Sequence, residues 1–222
     1  MVNIFYYCKL IIKSLFYLLN HKEFIALLKF VIILFTVLLV SCVNNLFLML
    51  DYIFYDFNKI EIKKPLFIVG FPRSGTTFLH KSIAIDSQFT TPQLWELLFA
   101  PSIIQKKIWL KLYKIVNIKT NLVQIPLLGK IIKRFDNIHK IRLSYPEEDY
   151  LFFIPSGACF LLIIIMPISE IWSLNNFDEN FSTNFKKRLM KKYKKMIKRH
   201  LYTFGKEKIY LSKNPYFTPF VK

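Results

Sequence analysis

Between Phe30 and Leu50 the chain runs for 21 residues without a single charge, the sharpest break in its polar and apolar pattern. As a helix this stretch is about 31 Å long, enough for a hydrocarbon core of about 30 Å. Val31–Leu34 and Val37–Val40 are its most apolar parts, and Asn44 and Asn45 interrupt it near the end. Residues 1–23 are apolar with scattered lysines, and no small-residue cleavage site follows the first apolar run, so an ordinary secretory signal is not expected. Two readings stay open: a helix that spans a bilayer over 30–50, or an interfacial helix that lies on a membrane or packs on the domain. Lys9, Lys13, Lys22 and Lys29 precede the stretch, and Lys59, Lys63 and Lys64 follow it, a slight bias toward a single-pass segment with its N-terminus cytoplasmic.

Residues 51–64 form a mixed, charged connector. Pro65–Gly70 is a short apolar run bounded by Pro and Gly, which predicts a buried parallel strand. Phe71–Gly75 reads as a turn and Thr76–Ile85 as a helix. Helical stretches are expected over 93–133, broken near Pro101 and Pro126. The eleven-residue apolar run 158–168 is too short to span a bilayer and is expected in the core. Lys186–His200 carries nine Lys and Arg and no acid, while Leu189, Tyr193, Met196, Ile197 and Leu201 recur at helical spacing. This predicts a helix with one buried face and one solvated basic face. Lys208–Ser212 reads as a second strand, with Lys213-Asn214-Pro215 as the loop after it. A strand–turn–helix unit followed by a further strand argues for an α/β domain.

Composition narrows the classes. With 54% hydrophobic and 17% aromatic residues, the chain can bury a core and is not a disordered polar chain. The net charge of +18 admits nucleic acid, anionic lipid or an anionic nucleotide as partner. Lysine outnumbers arginine 27 to 5 alongside abundant Ile, Asn and Phe, so part of that charge reflects an AT-rich coding bias. The basic run 186–200 has no stacking aromatic besides Tyr193, and nucleic acid is not expected as a partner. Cys8, Cys42 and Cys159 stand singly among apolar residues, which argues against a disulfide scaffold and a zinc site.

Gly70-Phe71-Pro72-Arg73-Ser74-Gly75-Thr76-Thr77 follows the first predicted strand and opens a helix. Its G-x-x-x-x-G-T-T skeleton is a phosphate loop in the required context: glycines let the backbone turn onto an anion, and the helix N-terminus adds its positive dipole end. Thr76 stands where a nucleotide hydrolase has lysine, so the loop's cation is Arg73. No apolar run ending in Asp follows to hold magnesium. The loop is therefore expected to take a phosphate-like group without a metal.

At these residues the chain resembles the sulfotransferases that use 3'-phosphoadenylyl sulfate (PAPS), and in particular the broad sulfotransferase family group. Pro65–His80 is similar to their 5'-phosphosulfate loop. The likeness continues through Asp86, Thr91-Pro92, Arg134, Asp136 and Asn137. Pro146-Glu147-Glu148-Asp149 is similar to that group's P-x-E-D-E, and Leu211–Thr218 to its L-L-K-S-P-x-H-T. Tyr150 replaces the last acid of the first pattern; Asn214 and Phe217 replace the Ser and His of the second. The resemblance implies a P-loop-containing α/β fold with a central parallel sheet, incomplete here and preceded by N-terminal apolar helices. Residues 1–50 would be the membrane-associated segment, and 65–222 the N-terminal part of the sulfotransferase domain. The family's 3'-phosphate segment would come after Lys222, so the resemblance implies a member truncated at its C-terminus.

It also implies roles. Arg73, Ser74, Gly75, Thr76 and Thr77 would hold the PAPS 5'-phosphosulfate, Arg73 also acting catalytically, with Lys213 as a further contact at a strand end. Glu148 would be the general base for a hydroxyl or amine acceptor, with Glu147 and Asp149 as alternates; adjacent buried carboxylates raise one another's pKa. His80 is expected as a packed core histidine. The alternatives are a non-catalytic truncated membrane protein and, less favoured, a P-loop nucleotide hydrolase or kinase.

Overall fold

The computed structural model describes residues 4–71, 74–116, 145–166 and 168–215. Two antiparallel-facing helices come first, α1 (Ile4–Asn20) and α2 (Phe24–Phe54), joined by a tight turn in which Lys22 takes a left-handed φ of 54°. A short strand β1 (Leu66–Ile68) leads into helix α3 (Thr76–Ile83), then β2 (Phe89–Thr90), α4 (Leu94–Phe99) and α5 (Ile103–Val116). Residues 149–176 run mostly as 3-10 turns. Helices α6 (Phe177–Asn180) and α7 (Thr183–Phe204) precede strand β3 (Ile209–Lys213).

The three strands make one parallel sheet in the order β1-β3-β2. Leu66 pairs with Leu211 and Ile68 with Lys213 on one side, and Phe89 with Ile209 on the other. β3 is central and almost wholly buried, as parallel strands covered on both faces are. β1 departs from its predicted burial: only Ile68 is buried, while Leu66 and Phe67 are exposed. Among the described residues β3 is its sole neighbour, so one side of β1 stays open. β2 was not anticipated; two residues give no periodicity to read.

Helix α7 carries the predicted amphipathic pattern. Leu189, Tyr193, Met196, Ile197 and Leu201 all enter the core, and Ser182 caps the helix by accepting from the Phe185 amide. Two of its basic residues depart from the solvated face: Arg199 and His200 are buried. Arg199 Nε donates to Asp51 Oδ2 at 2.8 Å, and Asp51 also accepts from the Ile103 and Ile104 amides at the start of α5. His200 Nδ1 lies 2.8 Å from Glu96 Oε2, and Lys106 Nζ 3.4 Å from the same oxygen. These two clusters lock α2, α4, α5 and α7 together. A carboxylate amid helix-start amides and a guanidinium replaces the water it lost on burial. This is why α2 continues through the charged Asp51 to Phe54, four residues beyond the apolar stretch.

The 158–168 run is core only in part. Cys159, Leu162, Met166 and Ile168 are buried, while Leu161 and Ile164 are exposed. The run forms 3-10 turns over Phe160–Ile164, whose threefold repeat sends every third residue to the same side. The break at Pro101 falls between α4 and α5 as predicted; Pro126, Arg134, Asp136 and Asn137 lie outside the described residues.

Candidate active site

The carboxyl end of the sheet brings three separate sequence segments together. β1 ends at Ile68 beside Lys213 of β3, and the glycine loop follows β1 directly. Gly75 ends that loop at a left-handed φ of 84° and serves as the N-cap of α3. A Cβ there would meet nothing within 4 Å, so the backbone angle, not crowding, calls for glycine. Helix geometry then leaves the amides of Thr76, Thr77 and Phe78 without intrahelical acceptors. Ser74 closes the loop on itself: its hydroxyl donates to Phe71 O at 2.6 Å, and its amide lies 3.3 Å from the same oxygen. Pro72 and Arg73 are outside the described residues.

Lys213 joins the loop to the acidic segment. Its ammonium, on a side chain only 2% exposed, donates to Thr77 Oγ1 at 2.8 Å and reaches Glu148 Oε1 at 2.5 Å. The partner segment is held by backbone pairing at Pro146 and Gln93, with the Glu147 amide on Pro92 O at 3.2 Å. So the structure supplies a cation to the helix start where the loop itself has threonine at 76.

The three adjacent carboxylates take three environments. Glu148 pairs with Lys213. Glu147 is held above the ordinary carboxylate range by burial and by the neighbouring Glu148 charge. Asp149 is fully buried, which pushes its pKa up to about 6 against the pull of its hydrogen bonds. Tyr193 donates to its Oδ2, Tyr210 does so at 2.9 Å, and Asn214 Nδ2 lies 3.4 Å from Oδ1. Asp149 thus faces the core and ties the acidic segment to α7 and β3. Asn214 belongs to this inner network.

His80 is a buried core histidine, as expected. Its Nε2 sits 2.7 Å from Thr91 Oγ1, and burial beside Lys213 and Lys81 lowers its pKa to about 4. The buried Tyr193–Asp149–Tyr210 network was missed in the sequence. Its only signal was Tyr193 on the apolar face of a basic helix.

Residues 65–156, which include the loop, His80 and the acidic segment, match the model of the sulfotransferase family. No curated protein and no solved structure matches the chain. Lys213 and β3 lie beyond the matched residues, yet the fold returns them to the family segment at the Thr77 and Glu148 side chains. The mixed helix and sheet architecture, with its small parallel sheet, accords with the α/β expectation.

Proposed function

We propose that this chain is a membrane-associated sulfotransferase that moves a sulfuryl group from PAPS to a hydroxyl or amine acceptor. The observation that carries this reading is the Lys213 ammonium bridging Thr77 at the glycine loop and Glu148 in the acidic segment. The loop residues fit an anionic donor: a left-handed Gly75, a helix start with orphan amides, and a buried lysine against the first helical turn. PAPS supplies the sulfuryl group on its 5'-phosphate.

In the proposed step an acceptor oxygen or nitrogen forms a bond to sulfur while the bond from sulfur to the phosphate oxygen breaks. Its electron pair leaves with adenosine 3',5'-bisphosphate. Glu148 takes the acceptor's proton. The Lys213 ammonium then loses its counter-charge and is left to face the departing phosphate, alongside Thr77 and the amides of Thr76 and Thr77. Arg73, the loop's own cation, adds charge at the same group. Preorganised donors of this kind are worth a factor of about 100 to 1,000 in rate when one is removed. Long, apolar α2 is sufficient by length and composition to cross a membrane, which supports membrane association.

The reading is tested by transfer of radiolabelled sulfate from PAPS to a panel of phenolic, sugar and amine acceptors. Glu148→Gln is expected to retain adenosine 3',5'-bisphosphate binding and lose turnover; Arg73→Ala is expected to lose turnover by about 100-fold or more. Transfer by Arg73→Ala at the parent rate would refute the loop assignment.

A further inference from the structure

Taking the membrane association proposed above one step further, we propose that the α1–α2 hairpin docks flat on an anionic bilayer surface, in the plane of the membrane, instead of spanning it. Among the described residues, one face of α2 is left uncovered by the domain. Leu28, Phe35, Cys42 and Met49 are all exposed and stand seven residues apart, two turns each, so they form one row along the helix. A second row at the same spacing runs beside it from Ile25 to Ile53, again exposed throughout. The opposite face holds Phe30, Asn44 and Asp51, all buried. α2 is apolar on both sides, one side against protein and the other, among the described residues, against nothing. A helix of 31 residues is about 46 Å long, so the open face is a strip and not a spot.

The domain grips the hairpin along its length, which decides against a spanning arrangement. Near the C-terminal end of α2, Asn44 Nδ2 donates to Leu98 O at 2.9 Å and its Oδ1 accepts from Gln105 at 2.8 Å. Arg199 holds both Asp51 and the Leu48 carbonyl there. α1 is held separately: Tyr6 packs edge-on against Phe181, and Lys13 pairs with Glu170. Lys13 is the tenth of the seventeen residues of α1, so Glu170 stands beside the middle of that helix, well away from Asp51 near the far end of α2. Glu170 belongs to the 3-10 segment Ser169–Asn176. Sinking α2 upright would carry that segment and its carboxylate into hydrocarbon, where irregular backbone exposed to lipid is not tolerated. Lying flat, α2 places its open rows in the bilayer and leaves the domain in water.

Charge selects the bilayer over a second copy of this chain. Lys9, Lys22 and Lys29 are exposed on the hairpin, and Glu23 is the one acid between Ile4 and Leu50. Lysines bordering an apolar face suit anionic head groups. A helix partner in water would instead want opposed charges beside the apolar rows, and residues 30–50 contain none.

The test uses the full chain carrying Cys8→Ser, with one fluorescent label at a time on native Cys42 or, with Cys42→Ser added, at Leu28→Cys, Phe35→Cys or Met49→Cys. Cys159 is buried, with its thiol pKa pushed up to about 12, and does not compete for the label. Vesicles of phosphatidylcholine with phosphatidylserine carry spin labels either near the head group or near the chain end. The expected result is stronger quenching by the head-group label at all four sites, with the same ratio at each. Deep quenching of Phe35→Cys and Cys42 with shallow ends would show a spanning helix and overturn the proposal while leaving membrane association intact. Absence of vesicle binding would overturn both, and so would labels shielded from every lipid in a chain that sediments as a dimer. A chain with Lys22→Ser and Lys29→Ser is expected to bind the anionic vesicles several-fold more weakly and to bind pure phosphatidylcholine as the parent does; equal binding to both would remove the argument for an anionic surface.

Discussion

Asp149 and His80 carry opposed pH dependences in the same window. Asp149 is raised from 3.8 to about 6, so its contribution to stability is present below pH 3.8 and lost as pH rises through 6. His80 is lowered from 6.5 to about 4, so its contribution is present above pH 6.5 and lost as pH falls through 4. Each displacement corresponds to about 3 kcal/mol, and in the parent the two largely offset. Single substitutions should separate them. Between pH 4 and 7, Asp149→Asn is expected to gain about 3 kcal/mol relative to the parent, and His80→Gln to lose about as much. Urea unfolding at several pH values measures both; differences independent of pH would refute the assignment. Asp149 is a poor candidate base because its oxygens are occupied by Tyr193, Tyr210 and Asn214 inside the core. Glu148 instead faces a cation at the loop.

At the scale of elements, α2 depends on one buried carboxylate. Asp51 holds Arg199 and the first amides of α5, and Arg199 also stacks 4.1 Å over the Phe57 ring. Removing one partner of a buried pair strands the other charge at a cost of about 3–5 kcal/mol. Asp51→Ala should therefore lower stability by that amount in denaturant unfolding and loosen the α2–α5 contact; a change below about 1 kcal/mol would show that water reaches Arg199. The elements differ in how far the sequence announced them. Helix α7 was readable from five apolar residues at helical spacing, and β3 from the run Lys208–Ser212, although the strand also takes in Lys213, which the sequence placed in the loop after it. The glycine loop was readable because two glycines and two threonines in that order have few other uses. Asp51, Glu96, Lys106, Arg199 and His200 were not readable as interior groups. Charge in a sequence reads as surface unless its partner is known, and these partners lie about 100 or more residues apart in most cases, as with Arg199 and Asp51. The hairpin's span was legible, but which of its faces the domain would cover was not, because residues 30–50 are apolar all round.

Across the whole molecule, β3 returns Lys213 to the glycine loop, where the proposed function has it hold an anionic donor. The most direct measurement is calorimetric binding of adenosine 3',5'-bisphosphate to the full chain, in a chelator, for the parent, Arg73→Ala and Lys213→Met. Loss of one charge-assisted hydrogen bond costs about 1.5–3 kcal/mol, or tenfold and more in affinity. The expected result is metal-independent binding by the parent and a tenfold or greater weakening in each variant, with the fold retained by circular dichroism. A folded parent that does not bind the nucleotide, or variants that bind it as tightly as the parent, would contradict it.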